Sequence, residues 1–239
     1  MKIESLILEE TDNWVAINKP SGLLSIPDRE GKEISVKVLL KEKYGNIFTV
    51  HRIDKDTSGL ILFAKNETAH AHFCEQFENR NTIKIYNGLV VGTPVNEEGR
   101  IEIPIAEHPA KNGTMMTHRN GKEAITDYKV LEDFKIYSWL QFQIHTGRTH
   151  QIRVHAKHIG HPIAVDAVYG DGKPVFVSAI RNKFKLAKSE EEERPIMGRL
   201  ALHASSLTIQ DTKGAALSLT APFPKDILAT LQQLRKRKK

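Results

Sequence analysis

Cysteine is nearly absent. Cys74 is the only one in 239 residues, so the chain can form no internal disulfide and no thiolate zinc cluster, and a reducing, cytoplasmic location is expected. Long apolar runs are missing too. Nowhere do about 18 apolar residues follow one another, and the opening MKIESLILEETDNW is broken by glutamates and has no secretory h-region, so neither a membrane span nor a signal peptide is expected. No internal repeat, low-complexity linker or abrupt shift in composition divides the sequence, which predicts one domain over residues 1–239. Acidic residues fall short of basic ones, 29 against 35, giving a net charge of +6 and a pI near 9.3. That balance favours an anionic partner, nucleic acid before an acidic membrane surface. Five cations, Arg235 to Lys239, close the chain as a basic tail able to add phosphate contacts.

Local patterns predict the elements. Leu6 to Leu8 and Trp14 to Ile17 are short β-prone runs, the second stopped by the turn Lys19-Pro20-Ser21-Gly22. Val36, Leu39 and Leu40 fall at helical spacing between Ser35 and Tyr44, and a strand carrying His51 is expected next. Leu60 to Ala64 is an unbroken apolar run of buried-strand length. Asn66 is placed to cap a helix whose stripe is Ala69, Phe73 and Phe77 and which Asn79-Arg80-Asn81 closes. Thr82 to Val91 is rich in β-branched residues, and its period of two sets Lys84 and Tyr86 on one face, with Ile83, Ile85 and Asn87 on the other. Gly92 to Gly121 reads as a hairpin followed by an extended basic loop able to grip an RNA stem. Two strands, Ala124 to Leu131 and Ile136 to Ile144, precede a helix capped by Thr149, in which Ile152, Ala156 and Ile159 form the core stripe and Arg153 lies at its edge. The charge run Lys188 to Arg194 reads as a solvated loop. Leu200 to Ile209 and Ala216 to Thr220 complete the sheet, and Asp226 to Leu234 forms a last helix. The sum is an α+β fold, a single domain with a mixed, mainly antiparallel central sheet flanked by helices and loops.

The chemistry concentrates at His51 to Lys65, HRIDKDTSGLILFAK. Arg52, Asp54, Lys55 and Asp56 crowd directly against the apolar run, so at least one charge is expected to face inward, where pairing or catalytic work offsets its desolvation. Asp54 is the candidate. On spacing alone, a solvated turn capped by Asp56 or Ser58 is the commoner outcome. The stretch nevertheless resembles the signature of the RluA-type family of pseudouridine synthases, which reads HRLD, two variable residues, then TSGL. Further segments resemble that family in its own order: NKPSGLLSIP at 18–27, Lys84 and Tyr86 in IKIYNGLVVG, and GRTHQIRVH at 147–155 followed by Gly160, Pro162, Asp166, Tyr169 and Gly170. One position departs, because the family's usual Gly-Asp is Val165-Asp166 here.

The resemblance implies the same α+β fold and an RNA isomerase that breaks the glycosidic bond of a uridine, turns the base and rejoins it through carbon, with no cofactor and no metal. It implies that Asp54 is the catalytic aspartate, that Tyr86 lines the base pocket and assists removal of the C5 proton, and that Arg153 pairs with Asp54. Arg52, Lys84, Arg148 and Thr57 are the expected substrate-binding residues. A base in a duplex is shielded, so the target uridine has to be flipped out, at a cost of a few kcal/mol. Because the first motif begins at Asn18, no separate amino-terminal RNA-binding domain is expected. The expected partner is a compact stem-loop of tRNA or rRNA, bound by a monomer.

Other readings fit less well. His145, His150, His155, His158 and His161 invite a metal, but His150 and His155 point about 140° apart on a helix, and the pair His155 and His158 lacks a third ligand. Asp54 and Asp56 could be a glycosidase pair, yet residues this close in a tight turn are poorly placed to flank a sugar. Lys19-Pro20-Ser21-Gly22 has too few glycines for a P-loop. The competing class is an RNA-binding module that clamps structured RNA without chemistry.

Overall fold

The computed structural model describes residues 2–181 and 192–238. After a 3-10 turn at Ile3–Leu6, the chain forms β1 (Ile7–Glu10), β2 (Trp14–Lys19), α1 (Val36–Tyr44), β3 (Phe48–Thr49), β4 (Ser58–Ala64), α2 (Glu67–Glu78) and β5 (Ile83–Val91). Then come β6 (Glu98–Glu102), β7 (Ile105–Glu107), β8 (Met115–Thr117), β9 (Ile125–Asp133), β10 (Tyr137–Ile144), α3 (Gln151–His158), α4 (Val177–Ile180), β11 (Leu202–Gln210), β12 (Ala216–Thr220) and α5 (Lys225–Lys238). The chain groups into two compact units. The first comprises Met1–Tyr86, Gln143–Thr146 and His203–Pro222; the second comprises Asn87–Phe142, Gly147–Leu202 and Phe223–Lys239.

The first unit is built on β4. Its strands run in the order β1-β2-β4-β11, with β3 also on β4 and β12 also on β11. All the pairings are antiparallel except β4 with β11, which is parallel, so the sheet is mixed and mainly antiparallel, as the pattern predicts. Every residue of β4 is buried, because both faces are covered. Leu60, Leu62 and Ala64 pack with Trp14, Leu207 and the α2 residues Ala69 and Phe73. Ile61 and Phe63 pack the other way, with Val15, Ile17 and the α1 residues Val36 and Leu40. Each fully buried Leu, Ile or Phe is worth about 1.5–3 kcal/mol, so this double-sided core rigidly fixes the strand onto which the His51–Thr57 segment runs. Gly59, its second residue, is there for a steric reason. Its φ is +115°, and a Cβ there would lie 2.2 Å from the carbonyl oxygen of Ala204 on β11, so only glycine permits that close pairing. Asn66 caps α2 as expected, accepting from the Ala69 N–H, and Ser35 caps α1 by accepting from the Val38 N–H.

The second unit carries the strand order β5-β10-β9-β6 and a separate hairpin, β7 with β8. Thus 92–121 holds more regular structure than a hairpin and a basic loop, since β6 pairs with β9 along its whole length. Helix α3 docks through polar as well as apolar groups. His155 is fully buried; its Nε2 donates to the Ile103 carbonyl at 2.9 Å, and its Nδ1 accepts from Thr126 Oγ1 at 2.9 Å. Burial lowers the pKa of this imidazole, and the bond to the Ile103 carbonyl opposes that shift only in part. Helix α5 is anchored by Arg199, whose Nε and Nη2 reach the two oxygens of Asp226 at 2.7 and 2.8 Å.

Three expectations need correction, and a fourth lies largely outside the described residues. The strand expected to carry His51 ends at Thr49, and His51 to Thr57 is irregular. Thr149 does not cap α3; His150 does so from a left-handed conformation, φ 55°, with no side-chain capping bond. As far as Lys238 the basic tail is a continuation of α5, and its Arg235 is bound by Glu132 through a two-point contact, the Nε to Oε2 arm at 2.8 Å. Of the run Lys188 to Arg194, residues 188–191 lie outside the described residues. Val165, standing where the family has glycine, adopts φ 60°. A branched residue there is strained by about 1–2 kcal/mol. Val165→Gly is therefore expected to stabilise the protein by roughly 1 kcal/mol, the strain relieved exceeding the entropy glycine adds to the unfolded chain. Urea unfolding checks it, and a lower midpoint would contradict it.

Candidate active site

Four hydrogen-bonding groups of the Lys19–Ser25 turn clasp the backbone of the Asp54 segment. The Lys19 side chain is fully buried, and its Nζ donates to the carbonyls of Pro20 (3.0 Å), Leu23 (2.7 Å) and Lys55 (2.8 Å). Ser21 Oγ donates to the Asp56 carbonyl at 2.6 Å, and the Gly22 N–H to that of Lys55 at 2.9 Å. Ser25 Oγ donates to the Ile53 carbonyl at 2.7 Å and accepts from the Ile53 N–H at 3.2 Å. Thr57, which is buried, closes the turn by donating its N–H to the Asp54 carbonyl at 3.2 Å. The 18–27 motif thus binds the chain itself: one charged-donor bond, Lys19 to the Lys55 carbonyl, worth about 1.5–3 kcal/mol, and neutral ones worth about 0.5–1.5 kcal/mol each hold the segment in one shape.

Within that clasp Arg52, Lys55 and Asp56 are exposed, and Asp54 is half-buried. Of the four charges it is the one that turns inward, as its position against the apolar run predicts. Tyr86, on β5, lies near it: burial raises the pKa of the phenol, and the negative charge of Asp54 raises it further. Tyr86 is accordingly a neutral hydroxyl at working pH.

On the same face of β5, Lys84 is only 8% exposed while its neighbour Ile83 is 48% exposed, the reverse of what their polarities suggest. Lys84 Nζ sits 5.6 Å from the centroid of Phe77, and burial, aided by the charge of Arg80, lowers its pKa to about 8. Phe77 stacks on His51, centroids 4.8 Å apart. His51 Nε2 accepts from the Leu62 N–H at 3.0 Å, so the ring is neutral with its proton on Nδ1. Burial, then the Lys84 charge, lowers its pKa to about 3. The unfolded chain takes up this proton near pH 6.5 and the folded one does not, so His51's contribution is complete above pH 6.5 and lost as pH falls toward 3. At about 1.4 kcal/mol per pH unit, stability should be about 2 kcal/mol lower at pH 5 than at pH 7.5. Urea unfolding of the parent and of His51→Gln checks this, the variant losing most of that difference.

The second unit holds the other group named from sequence. Arg153 is 4% exposed, and its Nε and Nη2 donate to the two carboxylate oxygens of Asp166 at 2.7 and 2.8 Å. Asp166 Oδ1 also accepts from the N–H groups of Val168 and Tyr169 at 2.9 and 3.0 Å. Burial alone would raise this carboxyl, but the Arg153 contacts and these N–H groups more than offset it and hold the pKa below the usual range. The Arg153 guanidinium lies 5.0 Å from the ring centroid of Tyr169, whose hydroxyl accepts from the Met115 N–H at 2.8 Å and meets His150 Nδ1 at 2.8 Å. Arg148 is half-buried, with Nε donating to the Glu123 carbonyl at 2.8 Å.

Lys19 and Asp166 were not singled out as working residues in the sequence. Only the motif matches carry a signal for them, since a fully buried lysine runs against composition-based expectation. Among the described residues, no group of three or more His, Cys, Asp or Glu side chains is placed to hold a metal ion, and no helix is long and apolar enough to cross a membrane.

A half-buried, clasped aspartate beside a neutral tyrosine, with an aspartate-bound arginine further along the chain, fits an enzyme better than a binding module. The RNA pseudouridylate synthase profile matches residues 13–158. The chain is 34% identical over 236 residues to the ribosomal large subunit pseudouridine synthase D of Haemophilus ducreyi, an alignment covering 96% of this chain and 70% of that protein. It is 43% identical over 195 residues to an uncharacterized RNA pseudouridine synthase of Chlorobaculum parvum, covering 78% of this chain and 57% of the relative. Among solved structures, human RNA pseudouridylate synthase domain containing 4 matches with a TM-score of 0.75 and 28% identity, over 98% of this chain and 94% of that one. The chain belongs to the RNA pseudouridine synthase family, of the RluA type, a family of RNA isomerases.

Proposed function

We propose that this protein isomerises particular uridines in a compact stem-loop of cytoplasmic rRNA or tRNA, acting as a monomer and using Asp54 on the flipped nucleotide. The name of the Haemophilus relative puts rRNA first. The observation that carries the reading is the clasp on the Asp54 segment: four groups of one motif hold it while its neighbouring charges face water.

The reaction needs a carboxylate at the ribose, to attack the anomeric carbon or to take a ribose proton, and later a group that accepts the proton from C5. Asp54 has the first task. It works ionised, and Arg153, oriented by Asp166, is the partner that the resemblance assigns to it. Tyr86, kept neutral by burial and by Asp54, lines the space where the freed base turns. Arg52, exposed beside Asp54, supplies a cation for the backbone, and Lys84, with a pKa of about 8, a second that is mostly charged at neutral pH. Because Arg235 is already bound by Glu132, the helix end contributes phosphate contacts through Lys236 and Arg237, both exposed.

When C5 replaces N1 at the ribose, its hydrogen is released to solvent. RNA labelled with tritium at uridine C5 should therefore lose label through many turnovers at a protein concentration well below that of RNA. Binding without release would assign the chain to the competing class of RNA-binding modules.

A further inference from the structure

A cavity of about 400 Å³ opens in the second unit, between the β7–β8 hairpin, the turn after it and the residues leading into α3. Ile105, buried, and Met115, half-buried, give it an apolar wall. Glu107, Asn120, Lys122 and Arg148 also line it. The frame is fixed. Ile105 and Lys122 exchange backbone hydrogen bonds at 2.9 and 2.8 Å, Met115 donates to Tyr169 Oη, and Arg148 is held through Nε by the Glu123 carbonyl. A Cβ at Gly121 would lie 2.5 Å from the Ile105 backbone, so the turn is pressed against the hairpin. The polar side chains are, by contrast, uncommitted: those of Glu107, Asn120 and Lys122 make no hydrogen bond among the described residues.

Size and chemistry together narrow the occupant. The volume falls at the lower end of the roughly 300–1,000 Å³ of small-molecule sites, enough for one nucleotide and too small for a helical stem. Met115 and the planar guanidinium of Arg148 are groups on which an aromatic base stacks. The amide of Asn120 both donates and accepts, the carboxylate of Glu107 only accepts, and Lys122 suits a phosphate. A bare phosphate would be opposed by Glu107 and would leave the apolar wall and the Asn120 amide unused. Proteins that read RNA sequence do so on unstacked bases, through their edges. We infer that this cavity takes one unstacked nucleotide of the substrate RNA, other than the reacting uridine, with Arg148 and Met115 on its base and Asn120 and Glu107 on its edge. The inference rests on the RNA-isomerase reading and adds a specificity site to it. Because a carboxylate accepts only, the site prefers a base with an exocyclic amino group, adenine, cytosine or guanine, over uracil, whose one edge donor, N3–H, is flanked by two carbonyl oxygens that Glu107 repels.

The probe is a library of RNA hairpins whose loop is randomised except for one fixed uridine, with converted and unconverted members sequenced separately. Wild-type protein should select against uracil at one other loop position by about tenfold, the effect of one good edge contact. Glu107→Gln restores a donor and should admit uracil there. Gly147→Leu fills the cavity from a position where a Cβ meets nothing within 4 Å, and so should leave thermal stability unchanged while flattening the preference to within about twofold. Conversion of the fixed uridine should persist in both variants. An unaltered preference in the two variants, or none in the wild type, would overturn the inference and leave the isomerase reading standing. Failure of the wild type to convert any member would overturn the stem-loop reading and this inference with it.

Discussion

Asp54→Asn is expected to lower single-turnover pseudouridine formation by at least about 10³-fold, the scale of losing a positioned acid, base or nucleophile, and to leave RNA affinity within a few-fold. The isostere keeps the shape of the side chain and removes its charge. The segment stays clasped, because the bonds from Lys19, Ser21, Gly22, Ser25 and Thr57 all reach backbone atoms. Docking is dominated by phosphate contacts, which the substitution does not touch, so the loss falls on the barrier. A second readout follows from the structure: the charge of Asp54 helps to raise the Tyr86 pKa, so the phenol should titrate lower in the variant. Asp56→Asn is the control. Asp56 is exposed, and a glycosidase-like use of both carboxylates would make it equally damaging, whereas the isomerase reading predicts near-normal rates. If Asp54 were only a turn cap, asparagine would serve nearly as well.

Arg153→Ala is expected to cost about 3–5 kcal/mol of stability, because it strands a buried carboxylate. The Asp166 side chain is fully buried and Arg153 nearly so, and the remaining N–H groups of Val168 and Tyr169 supply only part of what the guanidinium gives. Turnover should fall as well, which alone would not separate a working arginine from a structural one. The double variant Arg153→Met with Asp166→Asn separates them. Met replaces the apolar stem of the arginine, and Asn still accepts from both N–H groups without carrying a charge, so most of the lost stability should return. Activity should not return if Arg153 acts on Asp54. Recovery of both, measured by urea unfolding and by single-turnover conversion on the same preparations, would reduce Arg153 to a structural role.

The sequence made the core of the first unit legible because its signals are local. Leu60 to Ala64 is an unbroken apolar run and became a strand buried on both faces; Asn66 and the stripe Ala69, Phe73 became α2. The inward turn of Asp54 could be anticipated, since four charges beside a core cannot all be buried and one had a motif behind it. What failed were features that depend on distant partners. Period two told which residues of β5 share a face but not which face is inside, and Lys84 is buried while Ile83 is exposed. Strands of three residues, such as β7 and β8, are too short to show a period and arise from pairing with each other. His150 and Val165 take left-handed conformations against their own preference, with Tyr169 and Arg153 bound beside them. Lys19 looked like part of a simple turn, because nothing in a sequence shows three carbonyls converging on one amine.

The most direct test maps pseudouridine across cellular RNA in three strains, carrying the intact gene, no gene, and the gene for Asp54→Asn at normal protein level. The account predicts one or a few uridines that are modified only with the intact gene, and unmodified both without it and with the variant. Modification of those same uridines in the Asp54→Asn strain, or an identical map in all three, would contradict it.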